Sequence, residues 1–238
     1  MENIFFKKLV DSELNIQLSD KQLGDLEIYF NFLIEENEKY NLTTIIERDE
    51  VYIKHFFDSM IMAKEFDLDN KKIFDIGSGA GFPGVVLAII YPNSKFVLID
   101  SNNKKTTFLS FLISKLELEN VQALNARVED LSKIHRHEAD IVIARAVARL
   151  TILLEISSQI IKVGGSFIAL KARTVEEEVN ELKSKPHKLG FVQSKVQVYE
   201  NEIIGIRNNI EYKKISETPV SYPRHYSKIK KDVVSNKK

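Results

Sequence analysis

The sequence predicts an α/β fold: a doubly wound, mostly parallel seven-stranded sheet with helices ahead of it. Three observations predict it. From residue 71 onward, apolar runs of strand length alternate with helical patterns, the signature of parallel strands joined by right-handed crossovers. The first run, Ile73-Phe74-Asp75-Ile76, enters the turn Gly77-Ser78-Gly79-Ala80-Gly81-Phe82-Pro83-Gly84, and a helix carrying Val85, Val86, Leu87, Ile89 and Ile90 follows. Glycines permit positive φ and close backbone approach, and Pro83 suits a first helical turn. The second run, Lys95–Asp100, ends in a carboxylate about 20 residues beyond that turn. A nucleotide-like ligand can then lie over the carboxyl end of the first strand, against unpaired N–H groups of the turn.

Residues 1–66 read as helical. Ser19 and Gln22 form a capping box, and Leu23, Leu26, Tyr29, Phe30, Leu33 and Ile34 follow at helical spacing. A second helix is expected from Glu50 to Phe66. The parallel strands are placed at Ile73–Ile76, Phe96–Ile99, Val121–Leu124, Ile141–Ala144 and Ser166–Leu170, with helices starting near Pro83, Asn102, Glu129, Arg149 and Thr174. Gly164-Gly165 reads as a turn into the fifth strand and Leu189-Gly190 as the stop of the last helix. Val192–Tyr199 and Ile203–Ile215 read as a closing antiparallel pair, which completes seven strands. The division expected is a helical region over 1–66, a Rossmann-like domain over 67–220 and a basic tail over 221–238.

Composition removes several chemistries. The chain of 238 residues has no cysteine, so a disulfide, a thiolate zinc site and a cysteine nucleophile are all excluded. No G-x-S-x-G elbow is present. No apolar run reaches the roughly 20 residues of a membrane span, and the N-terminus lacks the order of a signal peptide, so a cytoplasmic protein without membrane contact is expected. The net charge of zero hides a division: residues 1–66 hold 7 Lys/Arg against 14 Asp/Glu, whereas 221–238 hold 6 Lys/Arg and only Asp232. Such a tail can hold phosphate or can simply be solvated. His135-Arg136-His137 invites a metal reading, but a solvated loop accounts for it and no metal is expected.

The ligand follows from spacing. A dinucleotide fingerprint wants a third glycine where this chain has Phe82. The pattern Asp75-x-Gly77-x-Gly79-x-Gly81, with Asp100 closing the next strand, resembles motifs I and II of S-adenosylmethionine-dependent methyltransferases of the doubly wound class. In that reading Asp75 holds the loop by accepting backbone N–H bonds. Gly77 and Gly79 approach the methionine and ribose portions with Phe82 packed nearby, Asp100 takes the ribose, and Val128 and Glu129 flank the adenine. The fourth strand ends Ala144-Arg145-Ala146, without the Asn/Asp-Pro-Pro-aromatic motif that grips exocyclic amines. Arg145 offers a planar donor fork instead. A ring nitrogen such as guanine N7 already presents a lone pair, so its methylation needs alignment but no general base. His55 and Asp58 share a helix face, where a buried hydrogen bond and a substrate contact are equally plausible.

A longer string of matches is more specific. Tyr40-Asn41-Leu42-Thr43-Thr44-Ile45, Lys54-His55-Phe56-Phe57-Asp58-Ser59-Met60, Phe82-Pro83-Gly84, Leu98-Ile99-Asp100-Ser101 with Lys104-Lys105, Ala126-Arg127-Val128-Glu129-Asp130, Ala144-Arg145-Ala146, Ala169-Leu170-Lys171 and Tyr222-Pro223-Arg224 occur in one order. Over nearly its full length the chain resembles the bacterial small-subunit ribosomal RNA guanine-N7 methyltransferases, the glucose-inhibited division protein B family. The resemblance implies a class I methyltransferase fold, S-adenosylmethionine as cofactor and N7 of one guanine in 16S rRNA, free or in the small subunit, as substrate. It implies that Gly77, Phe82, Val128, Glu129 and Arg145 contact the cofactor. On the substrate side Asn41, Lys171 and Arg224 are expected, with Arg145 as the catalytic residue and a monomer as the working unit. After Arg224 the chain departs from the family, because His225-Tyr226-Ser227-Lys228-Ile229-Lys230-Lys231 holds neither glycine nor proline. Arg224, Lys228, Lys230 and Lys231 are nevertheless expected to meet rRNA phosphates. A methyltransferase for another substrate, a catalytically silent ribosome- or RNA-binding module and a nucleotide-dependent oxidoreductase are the competing readings.

Overall fold

A computed structural model describes residues 3–132, 134–172 and 175–235. The chain opens with α1 (Asn3–Leu14) and α2 (Asp20–Tyr40). The capping box before α2 is complete: the Gln22 N–H donates to Ser19 Oγ at 3.2 Å and the Ser19 N–H to Gln22 Oε1 at 2.9 Å. Gln22 Nε2 also donates to the carbonyls of Ile89 and Ile90, so the cap of α2 fastens it to the helix after the glycine turn. Leu23, Leu26, Tyr29 and Leu33 are buried, while Phe30 and Ile34 are half-buried.

The expected uniform helix from Glu50 to Phe66 is instead a composite. It comprises α3 (Arg48–Val51), a π-helical turn at Tyr52–Phe57, α4 (Asp58–Met60) and a 3-10 turn at Ile61–Lys64. In an i→i+5 turn, residues four and five apart share a face. Tyr52 can therefore turn inward together with Phe56 and Phe57, and each is at most 1% exposed.

The sheet then follows as β1 (Lys72–Ile76), α5 (Gly84–Ile90), β2 (Lys95–Asp100), α6 (Asn103–Lys115), β3 (Val121–Asn125), α7 (Val128–Leu131), β4 (Ala139–Arg145), α8 (Leu150–Ser157), β5 (Ile161–Lys171), α9 (Glu176–Leu182), α10 (Lys185–Lys188), β6 (Phe191–Asn201) and β7 (Gly205–Lys214). The expected helix start at Thr174 lies outside the described residues. Strand order is β3-β2-β1-β4-β5-β7-β6; β1 to β5 pair in parallel, and β7 runs antiparallel to both neighbours. Seven strands in a doubly wound arrangement match the sequence-based expectation. One boundary differs: β5 begins at Ile161, ahead of the glycine pair. Gly164 at φ +86° and Gly165, where a Cβ would lie 2.8 Å from the Asp140 carbonyl oxygen, sit in an irregularity within the strand, and the β4 register jumps from Ile161 to Ser166.

Side chains alternate between two cores, as strand geometry requires. Ile73, Leu98, Ile143 and Ile168 face a core shared with Phe6, Leu26, Tyr29 and Phe56, so α1 to α4 cover one face of the sheet. Phe74, Ile76, Val142 and Phe167 face the other core with Leu153, Ile156 and Ile229. The last hairpin reaches back to the first helices. Gln197 Nε2 donates to the Ile61 carbonyl at 2.9 Å, Tyr199 Oη to Glu13 Oε2 at 2.8 Å, and Lys195 pairs with Glu65.

The C-terminal segment differs from a solvated basic tail. It folds back as α11 (Tyr226–Ser235) against α8, with Ile229 fully buried. The cause is a carboxylate in the wrong place for an ordinary helix: Glu155 of α8 has no exposed surface and needs cations and donors around it.

Candidate active site

The carboxyl edge of the parallel strands carries two cavities that meet at Arg145 and Ala146, and Gly77, the first residue of the glycine turn, lines the first. Asp75 is fully buried, and its Oδ2 accepts from the Gly84 N–H at 3.0 Å, as a loop-holding acid should. Burial pushes its carboxyl up to about 7. Gly84 must lack a Cβ because one would lie 2.6 Å from that oxygen. The expectation of unpaired N–H groups along the turn is corrected. Gly77 and Ser78 donate to the Ile99 carbonyl, Gly81 and Phe82 to the Ser78 carbonyl, and Gly79 to Asp100 Oδ2 at 3.0 Å. The turn has closed on itself, so polar recognition passes to side chains.

The first cavity, of about 340 Å³, is lined by Gly77, Asp100, Lys105, Val128, Glu129 and Tyr226 among others. Gly77 stands at φ +69°, and the side chain of Val147 lies where its Cβ would be. Asp100 Oδ1 accepts from the Asn102 N–H at 2.8 Å. With one backbone bond on each oxygen, its carboxylate keeps acceptor capacity for a diol. Gly79 and Phe82 do not line this cavity. Phe82 is buried, its ring stacked on His55 at 4.4 Å and on Tyr29 at 5.3 Å between centroids, and the Arg145 guanidinium lies 5.3 Å from its centroid. Its reach is therefore through Arg145.

The second cavity, of about 500 Å³, is lined by Lys54, His55, Asp58, Lys171, Arg207 and Asn209, together with Arg145 and Ala146, which line both cavities. Arg145 Nη1 donates to Asp58 Oδ2 at 3.1 Å, and Arg207 Nε donates to Asp58 Oδ1. One carboxylate thus holds two guanidiniums. Burial pulls the pKa of Arg145 down and Asp58 opposes that pull. His55 and Asp58 do not bond to each other; His55 Nε2 is 2.9 Å from Thr43 Oγ1. Burial, with Arg145 adding to it, lowers the His55 pKa to about 4, so its ring is neutral near pH 7.

Lys171 lines the second cavity while its Nζ donates to Glu178 Oε2 at 2.8 Å and to the Ala148 carbonyl at 3.1 Å. Asn41 does not line it: exposed at φ +49°, it ends α2, the left-handed cap that asparagine tolerates. Arg224 lines neither cavity: its Nε and Nη2 donate to Glu155 at 2.9 and 2.8 Å and its Nη1 to Asp232 at 2.6 Å. Sequence reasoning gave no role to Arg207 or Tyr226, since neither stands in a motif of its own. Among the described residues no group of three His, Cys, Asp or Glu could hold a metal ion.

The family model for GidB, rRNA small subunit methyltransferase G, matches residues 22–208. The chain belongs to that family. It is 46% identical over 218 residues to ribosomal RNA small subunit methyltransferase G of Mycoplasma capricolum, which covers 92% of this chain and 94% of the relative. The protein of the same name from Mesoplasma florum is 42% identical over 225 residues, covering 94% and 95%. Solved structures agree on the fold. TYW2 of M. jannaschii, solved in complex with AdoMet, superposes with a TM-score of 0.56 at 19% identity over 72% of this chain and 80% of that one. A SAM-dependent methyltransferase from Aquifex aeolicus gives 0.53 at 18% identity over 71% and 94%. Among the described residues no helix is long and apolar enough to cross a membrane.

Proposed function

We propose that this chain transfers the methyl group of S-adenosylmethionine to N7 of one guanine in 16S rRNA. The cofactor lies in the cavity over β1 and β2 and the guanine in the cavity beside α4. The observation that carries this reading is the shared wall: Arg145 faces both cavities, so a methyl donor on one side and an acceptor on the other meet at a single fixed charge. The donor cavity suits the cofactor in its chemistry. Asp100 can accept from ribose hydroxyls, Val128 and Ile99 supply an apolar wall for a base, and Gly77 lets Val147 pack against the strand end that floors the cavity. When bound, the cofactor supplies an electrophilic sulfonium methyl group.

The protein's own share is alignment and exclusion of water. N7 brings its lone pair, so no side chain has to take a proton. Neutral His55 adds no second cation and no base strong enough to matter near pH 7. Phe82 beneath Arg145 and Asp58 beside it fix the plane of the guanidinium, whose fork can hold a guanine edge. Lys54, Lys171 and Arg207 line the acceptor cavity, paired with Glu50, Glu178 and Asp58, and together with Arg145 they leave it net positive where an RNA backbone would enter. One chain lines both cavities, which supports action as a monomer; sedimentation of the active protein checks that. The function itself is tested by mapping tritiated methyl incorporation on small-subunit rRNA from a strain lacking this enzyme. Recovery of label as 7-methylguanine at one site is expected, and label on another base or on no RNA would overturn the reading.

A further inference from the structure

The C-terminal segment is tied down more firmly than a solvated basic tail requires. Glu155 is fully buried at the middle of α8 and takes three bonds from Arg224, through its N–H at 3.1 Å, its Nε at 2.9 Å and its Nη2 at 2.8 Å, together with Lys185 Nζ at 2.7 Å. One turn further, Gln159 Nε2 donates to the carbonyls of Thr218, Pro219 and Tyr222 at 3.0–3.1 Å. Two buried polar side chains, Glu155 on α8 and Gln159 in the turn just past its end, thus grip the strap from residue 218 to 224. Beyond the grip, Ile229 is buried in the core with Val128 and Ile156, and Tyr226 packs half-buried on the same cluster. Tyr226 also lines the first cavity, together with Ile156, Val128 and Glu129. Helices α7 and α11 both pack on α8, which puts Tyr226 on the wall that α7 forms.

We propose that this strap is a structural part of the cofactor site: Glu155 and Gln159 latch it, and Tyr226 covers the adenine end of the bound S-adenosylmethionine. The proposal rests on placing the cofactor in the first cavity. An aromatic ring at the base end supplies stacking that is indifferent to base identity, the contribution a bound nucleoside gains from a tyrosine wall. Arg224 acts here as a positioning residue, with its charge absorbed by Glu155 and Asp232. This assigns the segment a different partner from the rRNA phosphates that its basic composition suggests.

Binding of S-adenosylhomocysteine to the full-length protein, measured by calorimetry, tests the proposal. Tyr226→Ala is expected to weaken binding about tenfold, on the scale of losing one base–aromatic stack, while Tyr226→Phe binds as wild type. A chain ending after Val220 should lose at least as much cofactor affinity yet keep the salt dependence of its rRNA binding. Asp100→Asn separates the two layers of the argument. If Asp100→Asn weakens binding and Tyr226→Ala does not, the strap has no part in the site and the proposal is overturned while the cavity assignment stands. If neither variant weakens binding, the cavity assignment fails and the strap proposal falls with it. A truncated chain whose affinity for S-adenosylhomocysteine is unchanged but whose salt slope for rRNA is flatter would assign the segment to RNA and overturn the proposal. Should the truncated chain not fold, the Tyr226→Ala result decides alone.

Discussion

The two cavities are built on different principles. The donor cavity is made mostly of the ends of β1 to β4 and the residues just after them, short stretches of sequence, with the side chains of Lys105, Ile156 and Tyr226 closing it. The acceptor cavity is made of side chains from α3–α4, β4, β5 and β7, brought together from Lys54 to Asn209. A site built on strand ends is most sensitive at its closing acid and at the few side chains that cover it; a site built from paired charges depends on each charge that shapes it. That difference can be broken or sharpened by experiment.

The largest effect is expected at the shared wall. Arg145→Ala should lower kcat/KM for methyl transfer to rRNA by about 100–1000-fold, the scale of removing one preorganised donor from a reacting centre. The fold should survive because Asp58 keeps Arg207. Arg145→Lys should restore only a minor part, since a point charge cannot copy a planar fork. Full turnover by the lysine variant would remove the fork from the mechanism. Next comes Asp100→Ala, which should weaken cofactor binding by roughly 1.5–3 kcal/mol, the cost of losing hydrogen bonds to a charged group. Calorimetry measures it directly, and an unweakened variant would show that the donor cavity needs no acid.

A smaller signal separates the two sites by pH. His55 titrates at about 4 in the folded chain against 6.5 ordinarily, so unfolded chains bind its proton first and stability falls as pH drops from 6.5 toward 4. Asp75 titrates at about 7 against 3.8, so the folded chain holds the extra proton and stability falls as pH rises from 3.8 toward 7. Each slope is at most about 1.4 kcal/mol per pH unit. Denaturant titrations of His55→Phe and Asp75→Asn across pH 4–7 should change the slope in opposite directions, and equal changes would refute the assignment. The smallest effect belongs to Gly79→Ala. No non-neighbouring atom comes within 3.4 Å of its built Cβ, so the cost is the left-handed backbone alone at φ +60°, about 1–2 kcal/mol of stability.

Legibility followed the same division. The strand ends, the glycine turn, the loop-holding Asp75 and the cap at Ser19 could be read from sequence because each is a local pattern. Arg207 could not: it is a single arginine inside a strand pattern, and its meaning appears only when β7 slots between β5 and β6 and points it at Asp58. The π-helical turn escaped because Tyr52, Phe56 and Phe57 fit an ordinary helical stripe well enough. The turn's N–H groups were misread as free because the sequence does not reveal that Asp100 and the Ile99 carbonyl take them. The ion pairs of Arg224 were not legible because net charge counts cations without showing the buried Glu155 that pairs with one of them.

The return of the last hairpin to the first helices bears on how the molecule comes into being. Gln197 finds Ile61 across 136 residues and Tyr199 finds Glu13 across 186. Contacts of such sequence separation form late, since a long loop must close before they contribute. During synthesis the glycine turn and β1 to β4 emerge well before Arg207 and Asn209. A growing chain can therefore set the strand ends of the donor side first, and completes the acceptor cavity, and after it the strap over the donor cavity, only when its final segments have left the ribosome that made it.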